Sequence, residues 1–82
     1  MKRPFYEYFQ IYNQPQEIVS NCNSITIINI GTATAIIDGL QLVTNAQYIS
    51  TGNQDEYNET KYRVSFTGGG SEIVLVIRKI YK

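Results

Sequence analysis

The chain has 82 residues, a formal net charge of zero and 17% charged residues, with seven tyrosines, one cysteine and no histidine. A domain this small buries only about 60% of the surface its unfolded chain exposes, and disulfides, a metal or a partner chain commonly make up the shortfall. Cys22 has no second cysteine to pair with, and zinc sets, transition-metal sets and histidine-based catalytic triads cannot be built from this composition, which leaves a partner chain.

The N-terminus, Met1-Lys2-Arg3-Pro4, begins like a signal peptide, but Glu7, Gln10 and Asn13 interrupt any apolar run behind it. No stretch approaches the roughly 18 apolar residues of a spanning helix, so the expectation is a chain neither exported by that route nor embedded in a membrane. Phe5, Tyr8, Phe9 and Tyr12 fit a helical stripe, whereas Phe5, Phe9 and Ile11 fit one side of a strand. Aromatic enrichment favours a strand or an extended arm. Asn13-Gln14-Pro15-Gln16 then breaks the pattern. Residues 1–16 therefore read as an N-terminal arm or edge segment, and 17–82 as a single domain.

From Ile18 onward the pattern is β. Ser24-Ile25-Thr26-Ile27-Ile28-Asn29 is β-rich and ends near Gly31, and Thr32-Ala33-Thr34-Ala35-Ile36-Ile37 follows. Asp38-Gly39 then leads into Leu40-Gln41-Leu42-Val43, and Asp-Gly between two such runs is a strong hairpin signal because both turn positions need φ > 0. Gln47-Tyr48-Ile49-Ser50 precedes a polar loop over residues 52–60. In Lys61-Tyr62-Arg63-Val64-Ser65-Phe66-Thr67 strict alternation points Tyr62, Val64 and Phe66 inward. Gly68-Gly69-Gly70-Ser71 is expected to close a hairpin with residues 72–81. That last strand is apolar on both sides, with Val74 and Val76 on one and Ile73, Leu75 and Ile77 on the other, which implies cover on both. Six to seven short strands make an all-β, small antiparallel β-sandwich, Ig-like or jelly-roll-like.

The motifs with possible chemistry are weak. The triple glycine lacks the Lys-Ser/Thr and the following helix of a phosphate loop. Asn53, Asp55, Glu56, Asn58 and Glu59 crowd one loop without the spacing or glycine of a calcium hand. No basic stripe suits nucleic acid. The expectation is a protein that is not an enzyme, with no catalytic residue, metal or cofactor.

The stretch from Asn29 to Leu42, with Asn29-Ile30-Gly31-Thr32-Ala33 and Gly39-Leu40-Gln41-Leu42, resembles a pattern in small β-sandwich structural proteins of tailed-phage virions. The later Gly52-Asn53, Tyr57, Lys61 to Gly68 and Ile73 to Lys79 extend the likeness to about residues 24–82. Thr44-Asn45-Ala46 departs from it, where the pattern has proline-glycine. The resemblance implies a capsid decoration, head-fibre or tail-adaptor subunit, made in the bacterial cytoplasm and located in the virion, with the aromatic N-terminus as an attachment arm.

The leading functional expectation is a structural interaction protein docking into a symmetric assembly, as a homo-oligomer or on capsid or tail proteins, without nucleic acid or membrane. Its contact residues are expected to be Phe5, Tyr6, Tyr8, Phe9 and Tyr12 in the arm and Ile73, Leu75 and Ile77 in the last strand. Deleting the arm should leave the β body folded. The alternatives are a glycan or host-surface binding module using tyrosines and amides, and a small inhibitor of a host protein, which would usually carry the charge bias missing here.

Overall fold

The computed structural model describes residues 3–81. Met1 and Lys2, the charged start discussed above, lie outside the described residues, as does Lys82. The described residues form eight strands: β1 (Phe5–Tyr12), β2 (Gln16–Val19), β3 (Ser24–Asn29), β4 (Thr34–Ile37), β5 (Leu40–Leu42), β6 (Gln47–Ser50), β7 (Lys61–Thr67) and β8 (Val74–Tyr81). They make two four-stranded antiparallel sheets, ordered β1-β8-β3-β6 and β2-β7-β4-β5.

The pairing is nested. β1 pairs with β8, β2 with β7, β3 with β6 and β4 with β5, while β3–β8 and β4–β7 join the halves of each sheet. The chain is thus one long hairpin, turned at Asp38–Gly39 and rolled up so that its arms fall into two layers. This is the topology of the eight-stranded jelly roll, which decides between the two architectures left open by the sequence. The turn itself has φ 47° at Asp38 and 90° at Gly39, both positive as a two-residue hairpin loop requires.

Nesting also corrects one expectation. Residues 61–67 and 72–81 are not hairpin partners: β7 lies in one sheet and β8 in the other. Gly68, Gly69 and Gly70, with φ 87°, 71° and 98°, carry the chain across the sandwich. There Ser71 O accepts from the backbone of Thr32 and Ala33, and the Ser71 N–H donates to the Thr32 hydroxyl at 2.7 Å. The physical reason is burial. Tyr62 and Val64 on β7 and Val74 and Val76 on β8 are all buried, and they enclose one another only if their strands sit in opposite layers.

The core combines these with Ile18, Ile25, Ile27, Ala35, Ile37, Leu42, Cys22 and Tyr12. β3 shows the alternation most clearly, with Ile25, Ile27 and Asn29 enclosed and Ser24, Thr26 and Ile28 half-buried on the other side. Phe5–Tyr12 is the edge strand of the first sheet rather than a detached arm, and Tyr12, 8% exposed, belongs to the core.

Candidate interaction surface

Residues paired directly across an antiparallel ladder share a face, so the register defines both outer surfaces of the sandwich. On the β1-β8-β3-β6 sheet, Phe9 stands beside Ile77 and Ile11 beside Leu75. Ile77 and Leu75 stand in turn beside Thr26 and Ile28, and Thr26 beside Ile49. The outer face of this sheet is therefore mainly apolar, in two rows that run from Phe9 to Ile49 and from Ile11 through Ile28 to Gln47, with Thr26 and Gln47 as their polar members. Phe9 and Ile11 are 64% and 61% exposed and Ile49 49%, while Leu75, Ile77 and Ile28 are half-buried between their neighbours.

One end of the band is aromatic and charged. Glu7 lies opposite Lys79 and Phe5 opposite Tyr81. The Lys79 ammonium sits 4.2 Å from the Phe5 ring centroid and 5.1 Å from that of Tyr81, and the two rings meet edge-on at 5.8 Å. The outer face of the other sheet is different in kind. Glu17 faces Arg63, Val19 faces Lys61, Ile36 stands between Gln41 and Ser65, and Thr34 faces Thr67. That face is finished for water; the first is not.

The sequence-selected contact residues divide accordingly. Phe5, Phe9, Leu75 and Ile77 come together on the apolar face. Tyr6 and Tyr8 project from the opposite side of β1, with ring centroids 6.2 Å apart, and remain largely exposed. Tyr12 is corrected: it is buried, and its hydroxyl lies 2.8 Å from Arg78 Nη2, so the intact fold does not offer it to a partner. Ile73 precedes β8, is half-buried, and its carbonyl accepts from Ile30 and Gly31 N–H at 3.1 Å each; its role is to join strands. Ile28 and Ile49 are not singled out by the sequence, and Ile11 is grouped there with Phe5 and Phe9 as one side of a strand but not as a contact residue. Alternation gives their side of the strand, but only the pairing of β6 and β1 into one sheet places them together.

Arg78 closes the end of the sandwich from inside. Its guanidinium donates to Val19 O (3.1 and 2.9 Å), Ser20 O (3.2 Å), Gln10 Oε1 (3.0 Å) and Tyr12 Oη, tying β1, β8 and the exit of β2 together. The polar loop after β6 is also anchored. Asn23 Nδ2 donates to Asn53 O and Glu56 O, Ser20 Oγ lies 2.7 Å from Asn58 O and 2.8 Å from Thr60 O, and Cys22 bridges to Asn58. Beneath this loop lies a polar cleft of about 380 Å³, lined among others by Tyr48, Ser50, Tyr57, Asn58 and Tyr62. Tyr48 and Tyr62 meet edge-on at 5.6 Å on its wall, and Asn58 Nδ2 donates to the Tyr62 hydroxyl at 3.0 Å.

Among the described residues no group of His, Cys, Asp and Glu is placed to hold a metal ion, and no helix is long and apolar enough to cross a membrane. Comparison with family models, with characterised proteins and with solved structures gave no match.

Proposed function

We propose that this protein is a non-enzymatic structural component that docks into a larger protein assembly through the apolar outer face of the β1-β8-β3-β6 sheet. The observation that carries the reading is the asymmetry of the two outer faces, one a band of Phe9, Ile11, Leu75, Ile77, Ile28 and Ile49, the other threaded with Glu17, Lys61 and Arg63. An exposed contiguous apolar patch of several hundred Å² marks an interaction site more often than it marks idle surface. The assembly is a tailed-phage virion in this proposal. Support comes from the sequence pattern from Asn29 to Leu42, and by fold analogy from the use of jelly rolls in capsid domains.

Two lysines make the test direct, because Lys79 lies on the apolar face and Lys61 on the polar one. On assembly Lys79 becomes protected from an amine-acylating reagent and Lys61 stays reactive. Protection of Lys61 alone, or of neither, rejects the reading. A second reading, a module for a neutral glycan, is favoured by the cleft of Tyr48, Tyr57, Asn58 and Tyr62, whose lining carries no cation. NMR shifts confined to these residues on adding neutral oligosaccharides would support it.

A further inference from the structure

The sandwich has four sheet edges, and three are short: β2 and β6 have four residues each and β5 three. Short edges limit pairing with foreign strands. β1 is the exception, with eight residues and no proline or lysine within it. Its outward hydrogen-bonding groups follow from β8. Tyr81 N donates to Asn23 Oδ1 and Lys79 O accepts from Asn23 N, so the odd-numbered residues of β8 turn their backbone groups away from β1. Val74, Val76, Arg78 and Ile80 turn theirs toward it, opposite Tyr12, Gln10, Tyr8 and Tyr6. The N–H and C=O groups of Phe5, Glu7, Phe9 and Ile11 consequently point out of the sheet, along an edge that no strand covers among the described residues.

We propose that β1 pairs antiparallel with β1 of a second copy, about a two-fold axis through Tyr8, to make a continuous eight-stranded sheet. The exposed run from Phe5 to Ile11, between Pro4 and the buried Tyr12, is centred on Tyr8. An axis there sets Phe5 against Ile11 and Glu7 against Phe9 of the partner, and these are the residues whose backbone groups face outward, so every one of those groups finds a partner. Centring on Glu7 would set like charges opposite each other, and centring on Phe9 would leave the Phe5 end overhanging. A chain of zero net charge brings no repulsion between copies. The pairing also joins two apolar faces side by side into one wider surface. This names a second copy as a partner within the assembly reading, and rests on that reading in this respect only, since it uses the edge of the sheet and not its face.

The test reads mass and register together. Tyr8 meets its symmetry mate as a non-hydrogen-bonded pair with Cα atoms about 4.5 Å apart, within disulfide range. Cys22 is buried and does not compete. Tyr8→Cys oxidises to a covalent dimer, Phe5→Cys does not, and the Phe5→Cys/Ile11→Cys double variant does. Phe9→Pro removes an outward N–H without touching the β1–β8 ladder, and converts the dimer to a monomer with an unchanged circular dichroism spectrum. Should Phe9→Pro fail to fold, the cysteine variants decide alone. A wild-type protein that is monomeric up to its solubility limit, or Phe5→Cys cross-linking as readily as Tyr8→Cys, overturns the proposal. Ile49→Lys, on the far edge of the apolar face, separates the two readings: it keeps the dimer mass and loses incorporation into the assembly.

Discussion

Asn29 is fully enclosed at the end of β3 and uses both ends of its carboxamide. Nδ2 donates to Ala33 O at 2.7 Å and Leu42 O at 2.8 Å, and Oδ1 accepts from Gly31 N at 3.0 Å. It therefore stitches the first sheet to the strands of the second. Two residues on, a Cβ at Gly31 would run into the Ser71 carbonyl, so Asn-x-Gly here is a packing requirement with a stated cause. Asn29→Ala takes the side-chain donor from the buried Ala33 and Leu42 carbonyls, while Gly31 N–H keeps Ile73 O, and should cost about 1–3 kcal/mol; a urea midpoint unchanged from wild type contradicts this. Titration gives a second test at this scale. Burial pushes the Cys22 thiol up from its ordinary 9.0, against the lowering pull of the Arg78 charge. The hydrogen bond with Tyr62, together with burial, raises the Tyr48 phenol above its ordinary 10.0. Both groups hold their protons more tightly folded than unfolded, so their stabilisation is complete below the unfolded values and is lost as pH rises through the folded ones. Stability to urea should begin to fall as pH passes 9.0, and Cys22→Ala should remove the first part of that fall. Stability that rises over the same interval overturns the assignment.

At the scale of elements, the crossing between β7 and β8 is the informative one. Gly69 has positive φ in open space, while a Cβ on Gly70 would collide with the Thr32 hydroxyl that receives Ser71 N–H. Gly69→Ala should cost about 1–2 kcal/mol, from the left-handed backbone alone, and Gly70→Ala distinctly more; equal thermal shifts would show that the Thr32–Ser71 clasp does not hold the crossing. The same segment shows where sequence reading stops. Alternation in residues 61–67 points to the inward residues, β-branched composition marks residues 24–29 as a strand, and Asp38-Gly39 marks the local hairpin, because period and turn chemistry are local properties. Which strands pair is not local: β1 meets β8 across nearly the whole chain, and three consecutive glycines permit a hairpin and a layer crossing equally. The apolar face was half legible for this reason. Leu75 and Ile77 announced themselves by following Val74 and Val76 in a doubly apolar strand, whereas Ile11 and Ile49 join them only through the nested pairing. The anchoring of the polar loop by Ser20, Asn23 and Asn58 left no signal, since short polar side chains near a turn look alike whether solvated or enclosed.

Over the whole molecule the Cα radius of gyration is 13.1 Å and the longest extent 47 Å against 17 and 16 Å. A globule of this length would have a radius near 12 Å, so the sandwich is elongated and thin, with little core for its surface. In such a body the N-terminal strand is not expendable. β1 contributes the buried Tyr12 ring, pairs along the whole of β8, and supplies Gln10 and Tyr12 to Arg78. Burying a large side chain is worth about 1.5–3 kcal/mol. Removing part of the Arg78 shell while Val19 O and Ser20 O still hold it costs about 1–3 kcal/mol more. Deletion would further expose the edge of β8, whose other side is the apolar band. Against a total stability of about 4–12 kcal/mol for a domain this size, those losses take roughly half of the margin before the eight-residue β1–β8 ladder is counted. A chain lacking residues 1–12 should therefore show collapsed amide dispersion and lose its cooperative thermal transition, the reverse of what a detachable attachment arm would give. Arg78→Met in the full-length chain is the companion variant. It removes the guanidinium but keeps β1 paired, so it should lower the melting temperature while the protein stays folded. If the truncated chain instead melts cooperatively near the wild-type temperature, the β2–β8 body is self-sufficient, and the β1–β8 ladder is a contact that an incoming strand could replace.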